Sequence, residues 1–119
     1  ATRVELPDKT TAEGPFDQAY GIAHQRIAHA ATTSGIPVGY WRSVGHSHNA
    51  FFIESFVDEL AHAAGQDPVA YRLALLQEAP RHAAVLRLAA DQAGWQRPPP
   101  RGWARGVALH ESFGSVVAQ

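Results

Sequence analysis

Residues 50–94, AFFIESFVDELAHAAGQDPVAYRLALLQEAPRHAAVLRLAADQAG, decide the fold class. Over 50–64 the apolar side chains recur at helical spacing. Phe52, Phe56, Leu60 and Ala64 make one stripe flanked by Ile53, Val57 and Ala61, and Glu54, Asp58 and His62 fall on the other side. Gly65 is placed to end this helix as the first residue past its cap. Asp67-Pro68 then opens a second helix, because the carboxylate accepts orphan amide hydrogens and a first-turn proline has no N–H to leave unpaired. That helix is predicted to run to about Glu78, with Val69, Leu73 and Leu76 on its buried face. Pro80 starts a third, ending at Gly94, with Val85, Leu86, Ala89 and Ala93 inward. Phe51, Phe52 and Phe56 read as core.

Outward from this segment the periodicity weakens. Residues 38–49 (VGYWRSVGHSHN) read as a loop, with Asn49 placed to cap the helix beginning at 50. Residues 1–19 form a polar arm broken by Pro7, Gly14 and Pro15, with a short strand expected at 2–6. Residues 20–30 (YGIAHQRIAHA) have an ambiguous period and are assigned as a strand. On the C-terminal side Pro98-Pro99-Pro100 makes a stiff connector, with Trp95 and Trp103 expected to seal it against the helices. Residues 105–119 (RGVALHESFGSVVAQ) read as a strand, a kink at Gly114 and a second strand. The expected class is α+β, three short helices between flanking strands. The 119 residues divide into an arm and strand (1–37), a loop (38–49), three helices (50–94), a connector (95–104) and strands (105–119).

Composition narrows the function. Lys and Arg number 10 against 11 Asp and Glu, so the net charge of −1 lacks the basic footprint of a nucleic-acid binder. There are no cysteines, which excludes disulfides, iron–sulfur ligation, a thiol nucleophile and Cys-based zinc sites within this chain. No apolar run approaches the roughly 18–20 residues that a membrane helix needs. There is also no Met, and with too few strands to close a sheet the chain reads as a piece of something longer.

Several constellations invite chemistry. His46-Ser47-His48 in a strand would put two imidazoles on one face, as zinc sites require, with Glu54, Asp58 or His110 as a third ligand. No third ligand stands at a diagnostic spacing, so local hydrogen bonding is the plainer reading. Ser43, Ser47, Ser112 and Ser115 lack a nucleophile-elbow frame, and Gly39 and Gly45 match no phosphate-loop spacing. Glu54, Asp58 and Glu59 read as solvated charges on a polar face, and His110-Glu111 is a weak pair. The 38–49 loop is more specific: it brings Arg42 to a helix N-terminus, where free amides and the helix dipole favour an anion. The plainer alternative is that Arg42 pairs with Glu54 or Asp58.

The stretches VGYWRSVGHSHNAFFIESFVDELA (38–61), AGQDPVAYRLALL (64–76) and RGVALHESFGSVVAQ (105–119) together resemble the molybdenum-binding large subunits of the isoquinoline 1-oxidoreductase beta type, within the xanthine dehydrogenase and aldehyde oxidase superfamily. The resemblance spans nearly the whole chain in collinear order. It implies an internal piece of a molybdopterin-binding domain in an oxidoreductase. Such enzymes carry a molybdenum-pterin cofactor, usually the cytosine dinucleotide form in bacteria. They hydroxylate N-heterocycles or aldehydes with water as oxygen source, and pass electrons to [2Fe–2S] centres on a partner subunit. The family's cofactor-side loop falls on Trp41, Arg42, Ser43 and Gly45, with Val44 at the substrate pocket. Ser43 stands where glycine is usual, and Val44 where phenylalanine often lines the pocket. The family's catalytic glutamate lies in a C-terminal motif with no counterpart here, so neither Glu54 nor Glu111 inherits that role and the isolated chain is expected to be inactive and free of molybdenum. The reading of a different class is a stand-alone helical interaction module; a third, a His-rich metal domain, rests on His46 and His48 holding zinc.

Overall fold

The computed structural model describes residues 9–30 and 32–119. After a 3₁₀ turn at Lys9–Ala12 come three helices and a hairpin: α1 (Gly45–Ala63), α2 (Pro68–Leu75), α3 (Pro80–Ala93), β1 (Leu109–Ser112) and β2 (Ser115–Ala118). The α+β class and the three helices are as the sequence predicts. The described strands, however, both follow the helices, and residues 20–30 form no strand. Among the described residues this extended segment has no neighbouring strand to pair with; its Gly21 amide instead donates to the Leu75 carbonyl at 2.7 Å. The strand expected at 2–6 lies outside the described residues.

The helix boundaries follow local chemistry. Gly65 adopts φ 63° and its amide donates to His62 O, while the Gln66 amide reaches Ala61 O, a left-handed stop for α1. One Asp67 carboxylate oxygen accepts from the Val69 and Ala70 amides at 3.0 and 2.9 Å, capping α2 behind Pro68. Helix α2 ends three residues before the expected Glu78, because Pro80 disfavours helical backbone at Ala79. Gly94 closes α3 at φ 60°. The hairpin pairs Leu109 with Ala118 through Ser112 with Ser115, and Phe113 and Gly114 both take positive φ, as a two-residue turn between twisted strands requires.

The core joins Tyr20, Val57, Val69, Leu76, Ala83, Leu86, Ala90, Val107 and Leu109. Two faces differ from the sequence reading. In α3 the buried line is Ala83, Leu86 and Ala90, leaving Ala93 exposed. In α1 the inward residues are Glu54, Val57 and Ala61, while Phe51, Phe52 and Phe56 are 69%, 59% and 58% exposed. Glu54, which reads as a solvated charge, is therefore on the core face beside Val57 and Ala61 from the flank of the expected stripe, while Asp58 is half-buried and His62 exposed.

Arg72 explains the inversion. It sits between Val69 and Leu76 on the buried side of α2, fully excluded from solvent, and demands a carboxylate partner. Its Nε donates to Glu54 Oε2 at 3.0 Å, one guanidinium nitrogen to Asp58 Oδ1 at 2.6 Å, and the other to the Glu54 carbonyl at 3.0 Å. Tyr20 Oη donates to Glu54 Oε1 at 2.9 Å, and the Leu109 amide donates to Glu54 Oε2 at 2.8 Å. One carboxylate thus ties α1, α2, the N-terminal arm and β1 together.

Burial pushes the Glu54 carboxyl above its ordinary value, against the pull of Arg72, the Leu109 amide and Tyr20. Burial and the Glu54 carboxylate push the Tyr20 hydroxyl up, so it stays a donor. For Arg72, burial works toward discharge, but the Asp58 hydrogen bond and the Glu54 charge outweigh it and the guanidinium remains charged. Removing one partner of a buried pair leaves a charge unsatisfied. Arg72→Met is expected to cost about 3–5 kcal/mol in urea unfolding. Asp58→Asn is expected to cost less than about 1 kcal/mol, since that carboxylate is partly solvated.

Candidate functional site

The turn at 41–45 precedes α1 directly. The helix begins at Gly45, so the loop expected over 38–49 ends at Val44, and His46 to Asn49 form the first turn of the helix. Asn49 consequently does not cap. It is buried within α1, and its side-chain amide donates to the Glu13 carbonyl at 2.9 Å, tying the helix to the arm.

The turn is wound tightly. The Val44 amide donates to Trp41 O at 3.1 Å and the His46 amide to Ser43 O at 3.0 Å. Ser43 and Val44 both take positive φ, 71° and 46°. That conformation is costly for side-chain-bearing residues, above all a β-branched one, and such strain concentrates at ligand-contacting segments. Ser43 Oγ donates to the Arg42 carbonyl and shares a 2.8 Å contact with Ser47 Oγ, which itself donates to the Arg42 carbonyl at 2.9 Å. These bonds hold the Arg42 backbone while its side chain projects into solvent.

Trp41, Arg42 and Val44 are exposed, Ser43 is half-buried and Gly45 is buried. Arg42 pairs with neither Glu54 nor Asp58; Arg72 has taken both. Among the described residues the Arg42 guanidinium makes no ion pair, and the first turn of α1 carries no acidic residue. At Gly45 a Cβ would collide with the Thr10 carbonyl oxygen and press on Glu13 Cβ at 3.1 Å, so the packing of the arm requires glycine at this position. The candidate residues therefore form one contiguous, outward-facing turn on a seated backbone.

The histidines are redistributed. His46 and His48 lie two apart on a helix, where their side chains diverge rather than share a face. His46 instead meets His110 of β1, Nδ1 to Nε2 at 3.0 Å, and His48 packs edge-on against Phe52. Among the described residues no group of three or more His, Cys, Asp or Glu side chains could hold a metal. His82 on α3 pairs with Glu111 at 2.8 Å. Trp95 covers the core and donates from Nε1 to Asp67 Oδ2 at 2.7 Å, whereas Trp103 is exposed and seals nothing. Sequence reasoning missed the Tyr20–Glu54–Arg72 cluster. Its signal was an arginine centred on the Val69–Leu76 stripe.

The chain is similar to large oxidoreductase subunits. It is 39% identical to the beta subunit of the isoquinoline 1-oxidoreductase of Brevundimonas diminuta over 79 residues, which cover 66% of this chain and 10% of that protein. It is 37% identical to a subunit of the nicotinate dehydrogenase of Pseudomonas putida over 122 aligned positions, covering 92% of this chain and 10% of that protein. Both proteins are homologues of this chain, which spans about a tenth of the length of the curated relatives it matches. No family model matches it. No helix among the described residues is long and apolar enough to cross a membrane.

Gly45→Ala is expected to cost about 1–3 kcal/mol, because the methyl group must displace backbone rather than a flexible side chain. Gly39→Ala meets nothing within 4 Å and is expected to be neutral. Parallel thermal melts of the two variants check this.

Proposed function

We propose that this chain is a segment of the molybdopterin-binding domain of a molybdenum hydroxylase, and that its 41–45 turn faces the cofactor. The observation that carries the reading is the conjunction of homology to two oxidoreductase subunits with an arginine that makes no ion pair among the described residues, on a strained, outward turn at a helix N-terminus. The residues present suit a polyanionic pterin dinucleotide. Arg42 offers a planar donor fork, the start of α1 offers the positive end of a nineteen-residue helix, and no carboxylate in its first turn opposes an anion. Within this proposal Trp41, Arg42, Ser43 and Gly45 form the cofactor side and Val44 borders the substrate pocket.

When bound, the cofactor would supply the chemistry for oxidising the substrate with water as the oxygen source. The chain's own contribution is placement. Arg42 holds negative charge on the cofactor, the Ser43–Ser47–Arg42 carbonyl bonds fix the backbone that carries it, and Trp41 shields the site from water. Glu54 takes no part in proton transfer here, since both of its oxygens are committed to Tyr20, Arg72 and Leu109. The named substrates of both relatives, isoquinoline and nicotinate, are nitrogen heteroaromatics, which favours that class over aldehydes for the parent protein. Val44 is a smaller wall than an aromatic ring and leaves a broader slot. Within this proposal electrons would leave to [2Fe–2S] centres on a partner subunit, as the family resemblance implies. The cytosine dinucleotide form of the cofactor belongs to the same proposal, as does the division into arm, turn, helices, connector and strands, with the turn ending at Val44.

In the intact subunit, Arg42→Ala is expected to lower molybdenum content or turnover by about tenfold, the loss of one charge-assisted contact, while Arg42→Lys retains part of both. Metal analysis of the purified subunit checks this. Wild-type molybdenum content and turnover in the Arg42→Ala variant removes the turn from the site. The 119-residue chain alone is expected to retain no molybdenum.

A further inference from the structure

The contact between His46 and His110 is not used by the function proposed above. It joins the first turn of α1 to β1, 64 residues apart in sequence, with Nδ1 and Nε2 3.0 Å apart and the rings edge to face at 65°. Around it, Gly14 of the arm packs so closely that a Cβ there would press on His110 Cε1 at 3.3 Å, and the Phe113 ring lies 6.0 Å from His46.

A neutral imidazole has one N–H and one bare nitrogen, whereas an imidazolium has two N–H groups and no acceptor. The N···N bond therefore survives with the pair neutral or singly protonated. With both rings charged, two donors and two positive charges oppose each other at 3.0 Å, and the contact must open. His46 is bonded into the turn itself, because its amide donates to Ser43 O. A shift of His46 pulls on Ser43, and through the Ser43–Ser47–Arg42 bonds on the backbone that presents Arg42.

We propose that His46 and His110 are positioning residues for the 41–45 turn, and that double protonation of the pair releases it. The inference rests on the reading of that turn as the cofactor side only for its functional consequence; the tie itself is a property of this chain.

Burial, then the neighbouring His46 charge, lowers the His110 pKa from its ordinary 6.5, and Glu111 opposes this weakly. A depressed histidine pKa means that the unfolded chain binds the proton more readily. The native contact thus loses stability as pH falls below about 6.5 and holds above it. Among the described residues the other titratable groups facing the pair are Glu54 of α1, Asp17 and Tyr20 of the arm, Glu111 of β1 and His82 of α3, which line a cavity of about 20 Å³ beside His110, with Glu13 next to Gly45. Glu54 is engaged with Arg72, and Glu111, 2.8 Å from His82 Nε2, opposes the lowering at His110 without cancelling it.

The test is hydrogen–deuterium exchange of residues 41–50 in the intact subunit, corrected for intrinsic rates, between about pH 8 and about pH 5. In the wild type, protection is expected to fall by about tenfold or more across that range. His110→Gln and His46→Gln, which keep a polar side chain without a titrating proton, are expected to flatten the profile, and His62→Gln, at an exposed position near the far end of α1, to leave it as in the wild type. A flat wild-type profile overturns the proposal. So does an unchanged profile in either glutamine variant that folds, which assigns the effect to Asp17, Glu13 or Glu54. Exchange is read without reference to molybdenum. If Arg42→Ala leaves the metal in place while the exchange profiles behave as expected, the cofactor reading fails and the histidine tie stands.

Discussion

The buried charge pair of Glu54 and Arg72 sets the arrangement of everything else. An arginine with no solvent access cannot be left unpaired, so α2 must approach α1 on the side that carries Glu54. That choice turns Val57 and Ala61 inward, aims the other Glu54 lone pairs at Tyr20 and the Leu109 amide, and so places the arm and β1 as well. Hydrophobic burial supplies the bulk of the driving force, but it is non-directional. The ion pair supplies direction.

The consequence reaches the N-terminal end of α1. With the helix rotated to satisfy Arg72, Asn49 meets the Glu13 carbonyl, Gly45 meets the Thr10 carbonyl and His46 meets His110. Three independent contacts thus seat the start of the helix against arm and hairpin. The preceding turn is then forced through left-handed backbone at Ser43 and Val44, and its side chains point outward. A strained turn on a firmly held base is suited to contacting a ligand that the chain itself does not enclose.

The sequence made the helices legible because their punctuation is local: Asp67-Pro68, Pro80, Gly65 and Gly94 each act through their own backbone. The hairpin was legible for the same reason at Gly114. The α1 face was not. Periodicity ranks faces by hydrophobicity, and Phe51, Phe52 and Phe56 outweigh Val57 and Ala61 on any such scale, yet they lie exposed because the partner helix was selected by charge. The 20–30 stretch misled for a related reason: alternation describes a strand only where a neighbouring strand exists. The candidate turn is a contiguous run in the sequence, Trp41 to Gly45, but its anchors are not legible there, since Thr10, Glu13 and His110 reach it only through the tertiary fold.

The chain thus carries a turn placed by a distant ion pair, and it is similar to about a tenth of the length of two oxidoreductase subunits. The most direct measurement is anomalous diffraction at the molybdenum edge from crystals of an intact subunit that carries this chain. The account predicts a molybdenum peak on the outer side of the Trp41, Arg42 and Val44 turn, with the Arg42 guanidinium directed at the cofactor density. A peak on the opposite side of the three helices, beside Pro98-Pro99-Pro100, would contradict it.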